Sequence, residues 1–180
     1  MLLKNNVFKF NNFSSYPDLV HGISTRFFGS MRPKHEEFRD SMQKFADELG
    51  IMASKIVTMG QVHTNNIQFV STKNWGQAIP QTDGLMTTQK NVFLGVVIAD
   101  CVPLLIYDHK QKFTSVIHAG WRGLFNEIIK ETVSALVAKG SNPQNLLVGI
   151  GPCIRSCHYN ITDEHRTMLI EQSPEWERFI

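Results

Sequence analysis

No apolar run in the 180 residues approaches the ~18 consecutive apolar residues needed to span a bilayer, and the opening MLLKNNVFKF has no apolar core of roughly seven residues like that of a secretory signal. The expectation is a cytoplasmic protein without a membrane partner. An excess of one charge is missing too. The 18 basic and 16 acidic residues are scattered, net +2, with no basic block, so nothing points to a nucleic-acid partner. Cysteine is scarce and odd in number, at three. That count is wrong for a disulfide framework, and in a reducing compartment a cysteine beside histidines serves as ligand or nucleophile. Repeats and low-complexity tracts are absent as well. With 42% hydrophobic residues, one sizeable core is within reach and two are not, which implies a single domain over 1–180.

Short apolar segments dominate the pattern. Residues 7–10, 56–59, 67–71, 92–99 and 146–150 read as strands, and 103–107 with 113–118 as a hairpin. Phe38, Met42, Phe45 and Leu49 recur every three or four residues before Gly50, which predicts an amphipathic helix over 36–49. A second, long helix is predicted from the Gly120 turn through Leu124, Ile128, Leu136 and Val137 to a stop at Gly140, and a last helix over 162–171. Strands outnumber helices and a hairpin is evident, so the class is α+β with mixed sheets rather than a doubly wound fold.

Chemistry gathers at the strand ends. His63 sits on a loop between two strands, Cys101 follows the apolar run 92–99, and His118 closes the hairpin. Two imidazoles and a thiol suit Zn²⁺ or copper, and three ligands leave a position open for an acidified water. A buried thiol and two turn histidines is the plainer alternative, favoured on spacing alone because the residues match no compact finger pattern. A metal-free pairing of Cys101 as nucleophile with His118 as base is equally allowed by the hairpin. Asp83 and Asp100 are candidate proton carriers; Asp83 could instead form a turn, and Asp100 is better placed to hold a ligand histidine in one tautomer. Gly120-Trp121-Arg122-Gly123 offers free N–H groups, a helix dipole and a guanidinium to an anion such as phosphate, with Arg26 as a second fork and a plain tight turn as the alternative. Cys153, Cys157 and His158 form another Cys/His group without a fourth member.

Gln-Val-His at 61–63, Thr-Asp-Gly-Leu-Met-Thr at 82–87, Ala-Asp-Cys-Val-Pro at 99–103, His-Ala-Gly-Trp-Arg-Gly at 118–123 and Gly-Ile-Gly-Pro-Cys-Ile at 149–154 occur in that order. Together they resemble the ordered motifs of the laccase-domain family, also called multicopper polyphenol oxidase-like proteins, peptidoglycan editing factors or zinc-type purine nucleoside phosphorylases. His21-Gly22-Ile23-Ser24-Thr25-Arg26 is similar to that family's N-terminal motif. The resemblance implies a layered α+β sandwich and a zinc ion, or copper, on His63, Cys101 and His118. It also implies phosphorolysis of adenosine, inosine, guanosine and methylthioadenosine to base and ribose 1-phosphate, with adenosine deamination as a side activity. In that reading Asp83, Asp100 and Cys101 are catalytic, and Arg26, Arg122 and Trp121 bind phosphate and nucleoside. The older family name implies a copper polyphenol oxidase with Met59 or Met86 as axial ligand. The family's kinship with a toxin deamidase implies a metal-free Cys–His hydrolase. A non-enzymatic, partner-binding role is the remaining alternative. Phe27-Phe28-Gly29-Ser30 departs from the glycine pair usual after the N-terminal motif, and a Cys-Thr and a Phe-Phe-Ser-Tyr-Arg-Arg segment usual in the family have no counterpart here.

Overall fold

The computed structural model describes residues 1–179. Its centre is a five-stranded sheet in the order β11-β9-β10-β7-β5. The hairpin is its middle: β9 (Val102–Asp108) pairs antiparallel with β10 (Thr114–Ala119), with Val116 opposite Leu105 and His118 opposite Pro103. β7 (Gly84–Thr87) adds to the far side of β10, and β5 (Ile67–Phe69) runs parallel to β7. β11 (Leu146–Ile150) pairs with β9 at the other edge. Strand alternation sends successive side chains to opposite faces. Leu104, Ile106, Ile117 and Met86 go to one side, where Ile128 and Leu136 of a helix cover them. Leu85 and Val116 go to the other, against Val57 and Met59.

That second face is covered in two pieces. One is the small sheet β6-β4-β8, in which β4 (Ile56–Met59) is flanked by parallel β6 (Ala78–Ile79) and β8 (Phe93–Leu94). The other is the N-terminal sheet of β1 (Leu2–Lys4), β2 (Val7–Lys9) and β3 (Ile23–Ser24), in which the turn after β2 sets Phe10 and Phe13 on Tyr107. Helix α1 (Phe38–Glu48) lies over the N-terminal piece and packs Phe45 on Phe28. The result is the mixed-sheet α+β class that the order of elements implied, in the layered form that the resemblance implied. No helix among the described residues is long and apolar enough to cross a membrane.

Two expected elements differ. The long second helix is two, α2 (Trp121–Phe125) and α3 (Ile128–Ala138), because Glu127 adopts a left-handed φ of 58° that no α-helix contains. The apolar run 92–99 holds only two residues of regular strand, since its pairing with β4 stops after Leu94. Beyond it the Gln61 side chain acts as the missing neighbour: its Nε2 donates to Val97 O, and its Oε1 accepts from Val97 N at 2.9 Å. The last helix, α4 (Asp163–Gln172), starts where Thr162 accepts from His165 N, an N-cap.

Candidate metal centre

Three loops converge at one end of the central sheet. Gln61 and His63 both have left-handed φ values, 51° and 62°, so at these two positions of the coiled 61–64 turn a β-branched residue would be strained. Asp83, just before β7, holds that turn. Its carboxylate accepts from Val62 N (3.2 Å), His63 N (3.0 Å), Thr64 N (2.8 Å) and Thr64 Oγ1 (2.9 Å). It accepts a further bond from His118 Nδ1 at 2.8 Å. Burial pushes the Asp83 carboxyl up, but the bonds from His118, Thr64 and His63 outweigh it and hold it below the usual carboxylate range. An ionised carboxylate only accepts, so His118 carries its proton on Nδ1 and keeps Nε2 free as a ligand.

Cys101 enters from the bend before β9, with Sγ 3.9 Å from His63 Nε2. The His63 and His118 rings meet edge to face with centroids 4.8 Å apart. One donor atom from each of His63, Cys101 and His118 lies within 4.8 Å of the others. Ligands of a tetrahedral zinc ion sit about 3.4–3.6 Å apart, so a contraction of at most about 1.2–1.4 Å closes the set around an ion. The residues therefore fit a soft or borderline divalent metal with three protein ligands. Gly120 makes the approach possible. A Cβ there would lie 2.7 Å from His63 Cδ2 and 3.2 Å from Cys101 Sγ. Burial pushes the Cys101 thiol up, aided by the charges of Asp100 and Asp83. A thiol raised in this way is a poor nucleophile unless a cation draws off its proton, which weighs against the metal-free Cys–His reading.

Other expectations fare differently. The carboxylate that orients a histidine is Asp83, not Asp100: Asp100 is exposed, and among the described residues its side chain makes no hydrogen bond. The reason is reach, since Asp83 lies beneath both histidine segments while Asp100 points to the cleft beside them. The helix-dipole anion site behind Gly120 is much reduced, because α2 is five residues long. Arg122 lies over the Trp121 ring at 4.5 Å, and His165 meets that ring edge-on at 5.1 Å, so Trp121 is already partnered. Arg26 begins a short turn bordering a large cleft whose lining also includes Asp100. Cys157 Sγ is 3.0 Å from His158 Nδ1, and among the described residues no metal group forms there. The sequence motifs included Gln61 without giving it a role of its own, and Thr64 and Tyr159 were given none. Burial pushes the Tyr159 phenol up, with Cys101 and Asp100 adding to it and Arg122 opposing, which puts this ring in electrostatic reach of the centre. Its only sequence signal was adjacency to the Cys157-His158 pair.

The profile of the family described as multi-copper polyphenol oxidoreductase laccase matches residues 28–180. A Bacillus subtilis protein named purine nucleoside phosphorylase YlmD is 34% identical over 79% of this chain and 56% of its own length. A Rickettsia conorii protein, also named a purine nucleoside phosphorylase, is 40% identical over 71% of this chain and 51% of its own. The crystal structure of a Bacillus licheniformis protein, YfiH, superposes with a TM-score of 0.72 at 33% identity, covering 78% of this chain and 55% of that one. The chain thus spans about half the length of the curated relatives it matches.

Proposed function

This chain belongs to the laccase-like family of multi-copper polyphenol oxidoreductases, whose curated relatives carry the name purine nucleoside phosphorylase, and from that premise we propose a metal-dependent purine nucleoside phosphorylase. The observation that carries the reading is the convergence of His63, Cys101 and His118, held by Asp83 and spaced by Gly120. We take the ion to be zinc: bound there, it supplies Lewis acidity at an open coordination position. The chain's own residues do the rest. Asp83 keeps His118 in one tautomer and His63 in one loop conformation, which limits the movement needed to bring both onto one ion. The exposed Arg122 guanidinium offers a fork to phosphate or to the developing ribose 1-phosphate, with Arg26 as a further anion contact. The exposed Tyr159 ring, in electrostatic reach of Arg122 and Cys101, offers a face to the purine in place of the already partnered Trp121. Adenosine, inosine, guanosine and methylthioadenosine are the substrates, with adenosine deamination as a side activity in which the exposed Asp100 carries protons.

The test is release of ribose 1-phosphate from adenosine, run with and without phosphate on protein of measured metal content. Turnover that needs phosphate and disappears on chelation and in Cys101→Ala is expected. Turnover unaffected by both would remove the metal from the reaction, and inosine as sole product would leave a deaminase. The copper-oxidase alternative is disfavoured by one observation. Met59 and Met86, its candidate axial ligands, are buried in separate hydrophobic clusters at 5% and 2% exposure. Copper loading is accordingly expected to give no intense blue colour.

A further inference from the structure

Helix α2 has five residues, too few to hold a helical shape in water unaided. Its axis is not continued into α3, because the left-handed Glu127 breaks the run between them. Tertiary contacts therefore set its position. Arg122, the guanidinium assigned to phosphate above, rides on it.

Three consecutive residues of the metal loop meet α2 and its two caps at every third position. At Gly120, the N-cap, a Cβ would lie 2.7 Å from His63 Cδ2. At Gly123, inside the helix, it would lie 3.0 Å from Thr64 O. At Asn126, the C-cap, the backbone carbonyl accepts from Asn65 Nδ2 at 2.8 Å. Positions three apart share one face of a helix, so residues 63–65 run along that face from end to end. The first two contacts are close packing over glycine. The third is a directional bond, and it takes one of the carbonyls that a helix end leaves without a partner inside the helix.

The rest of α2 is held by rings. Arg122 lies over the Trp121 ring at 4.5 Å, His165 meets that ring edge-on at 5.1 Å, and the Phe125 and Trp176 centroids are 5.8 Å apart. Ring contacts of this kind tolerate a range of offsets and angles, so they hold the helix down without fixing how far it turns. Among these contacts the bond from Asn65 is the one that fixes the turn.

We propose that Asn65 is a positioning residue for phosphate: by tying Asn126 O to a point two residues after His63, it fixes α2 on the metal loop and sets the place of Arg122 relative to the metal ligands. The proposal rests on Arg122 as the phosphate fork, and Asn65 acts through α2 rather than on the anion. Whatever orders the His63 loop then also orders Arg122. Metal and phosphate favour the same arrangement, and each tightens the other by the same factor.

The experiment titrates inorganic phosphate by calorimetry into the 180-residue chain, zinc-loaded and zinc-stripped, and into the same two forms of Asn65→Leu and Asn65→Gln. In the parent, zinc is expected to tighten phosphate about fivefold or more. Asn65→Leu, which nearly keeps the side-chain size and removes the N–H, is expected to bring the ratio of the two affinities within about twofold of one. Its zinc affinity, which Asp83 secures, stays within about twofold of the parent's. Asn65→Gln retains an amide donor and keeps most of the ratio. A parent ratio of one, an unchanged ratio in Asn65→Leu, or equal losses in both variants overturns the proposal. So does a zinc affinity that falls along with the ratio, which would make Asn65 a support of the His63 loop alone. Arg122→Gln separates this result from the reading beneath it. Phosphate affinity unchanged in Arg122→Gln overturns both, whereas affinity lost there and kept in Asn65→Leu overturns the positioning role only. Turnover is not measured, so a failure of phosphorolysis is a separate result.

Discussion

The centre hangs on a carboxylate that touches no substrate. Asp83 is fully buried, bonds the backbone of the His63 turn and orients His118, so one side chain positions two of the three donors. Asp83→Asn replaces an acceptor with an amide whose NH₂ faces N–H donors. It is expected to lower zinc affinity about 10–100-fold, measured by competition with a chelating dye, while far-ultraviolet circular dichroism at low temperature stays unchanged. Gly120→Ala tests the same geometry from the opposite side. Its new methyl is 2.7 Å from the His63 ring, and a ring wedged between Asp83-held backbone and that methyl cannot reach the ion without turning. A loss of affinity on the order of tenfold is expected; affinity equal to the parent's would show that the His63 loop gives way freely.

At the scale of elements, side chains do work that regular pairing does not. The Gln61 amide stands in for a strand beside Val97, and Gln61→Ala should release the Val97 amide to exchange at the rate of its unpaired neighbours. The N-terminal sheet is tied down by His21, whose Nε2 accepts from Phe10 N at 3.0 Å and whose ring meets Phe13 edge-on at 5.1 Å. Burial pushes the His21 pKa below its ordinary 6.5, and the nearby Lys9 works in the same direction. The unfolded chain therefore takes up this proton before the folded one does. The stabilisation is complete above pH 6.5 and is lost as pH falls below that value through the folded pKa. Urea midpoints measured from pH 7.5 to 5 should fall for the parent protein and fall less for His21→Asn; equal slopes would exclude His21 as the cause.

For the whole molecule, the metal links three segments that are far apart in the chain, so its binding should be visible as stability. At metal concentrations near 100 times Kd the gain is about 2.7 kcal/mol, and for a domain of this size each kcal/mol moves Tm by roughly 2–4 °C. Chelation is expected to lower Tm by about 5–10 °C in the parent and to leave Cys101→Ala unmoved.

Much of this was legible from residue order alone. The 3.6-residue spacing of Phe38, Met42, Phe45 and Leu49 marked α1, the alternation around 103–118 marked the hairpin, and residue chemistry picked out His63, Cys101 and His118 as donors. These are local properties: periodicity reports on neighbours within a turn, and ligand type is a property of one side chain. Folding in three dimensions decided the rest. That Asp83 rather than Asp100 holds His118, 35 residues away, that Trp121 is already packed by Arg122 and His165, and that Glu127 interrupts a helix all depend on what packs beside each segment. The run after Leu94 shows the limit most plainly. Its composition is that of a buried strand, but a strand exists only where a partner supplies hydrogen bonds, and there the partner is the side chain of Gln61.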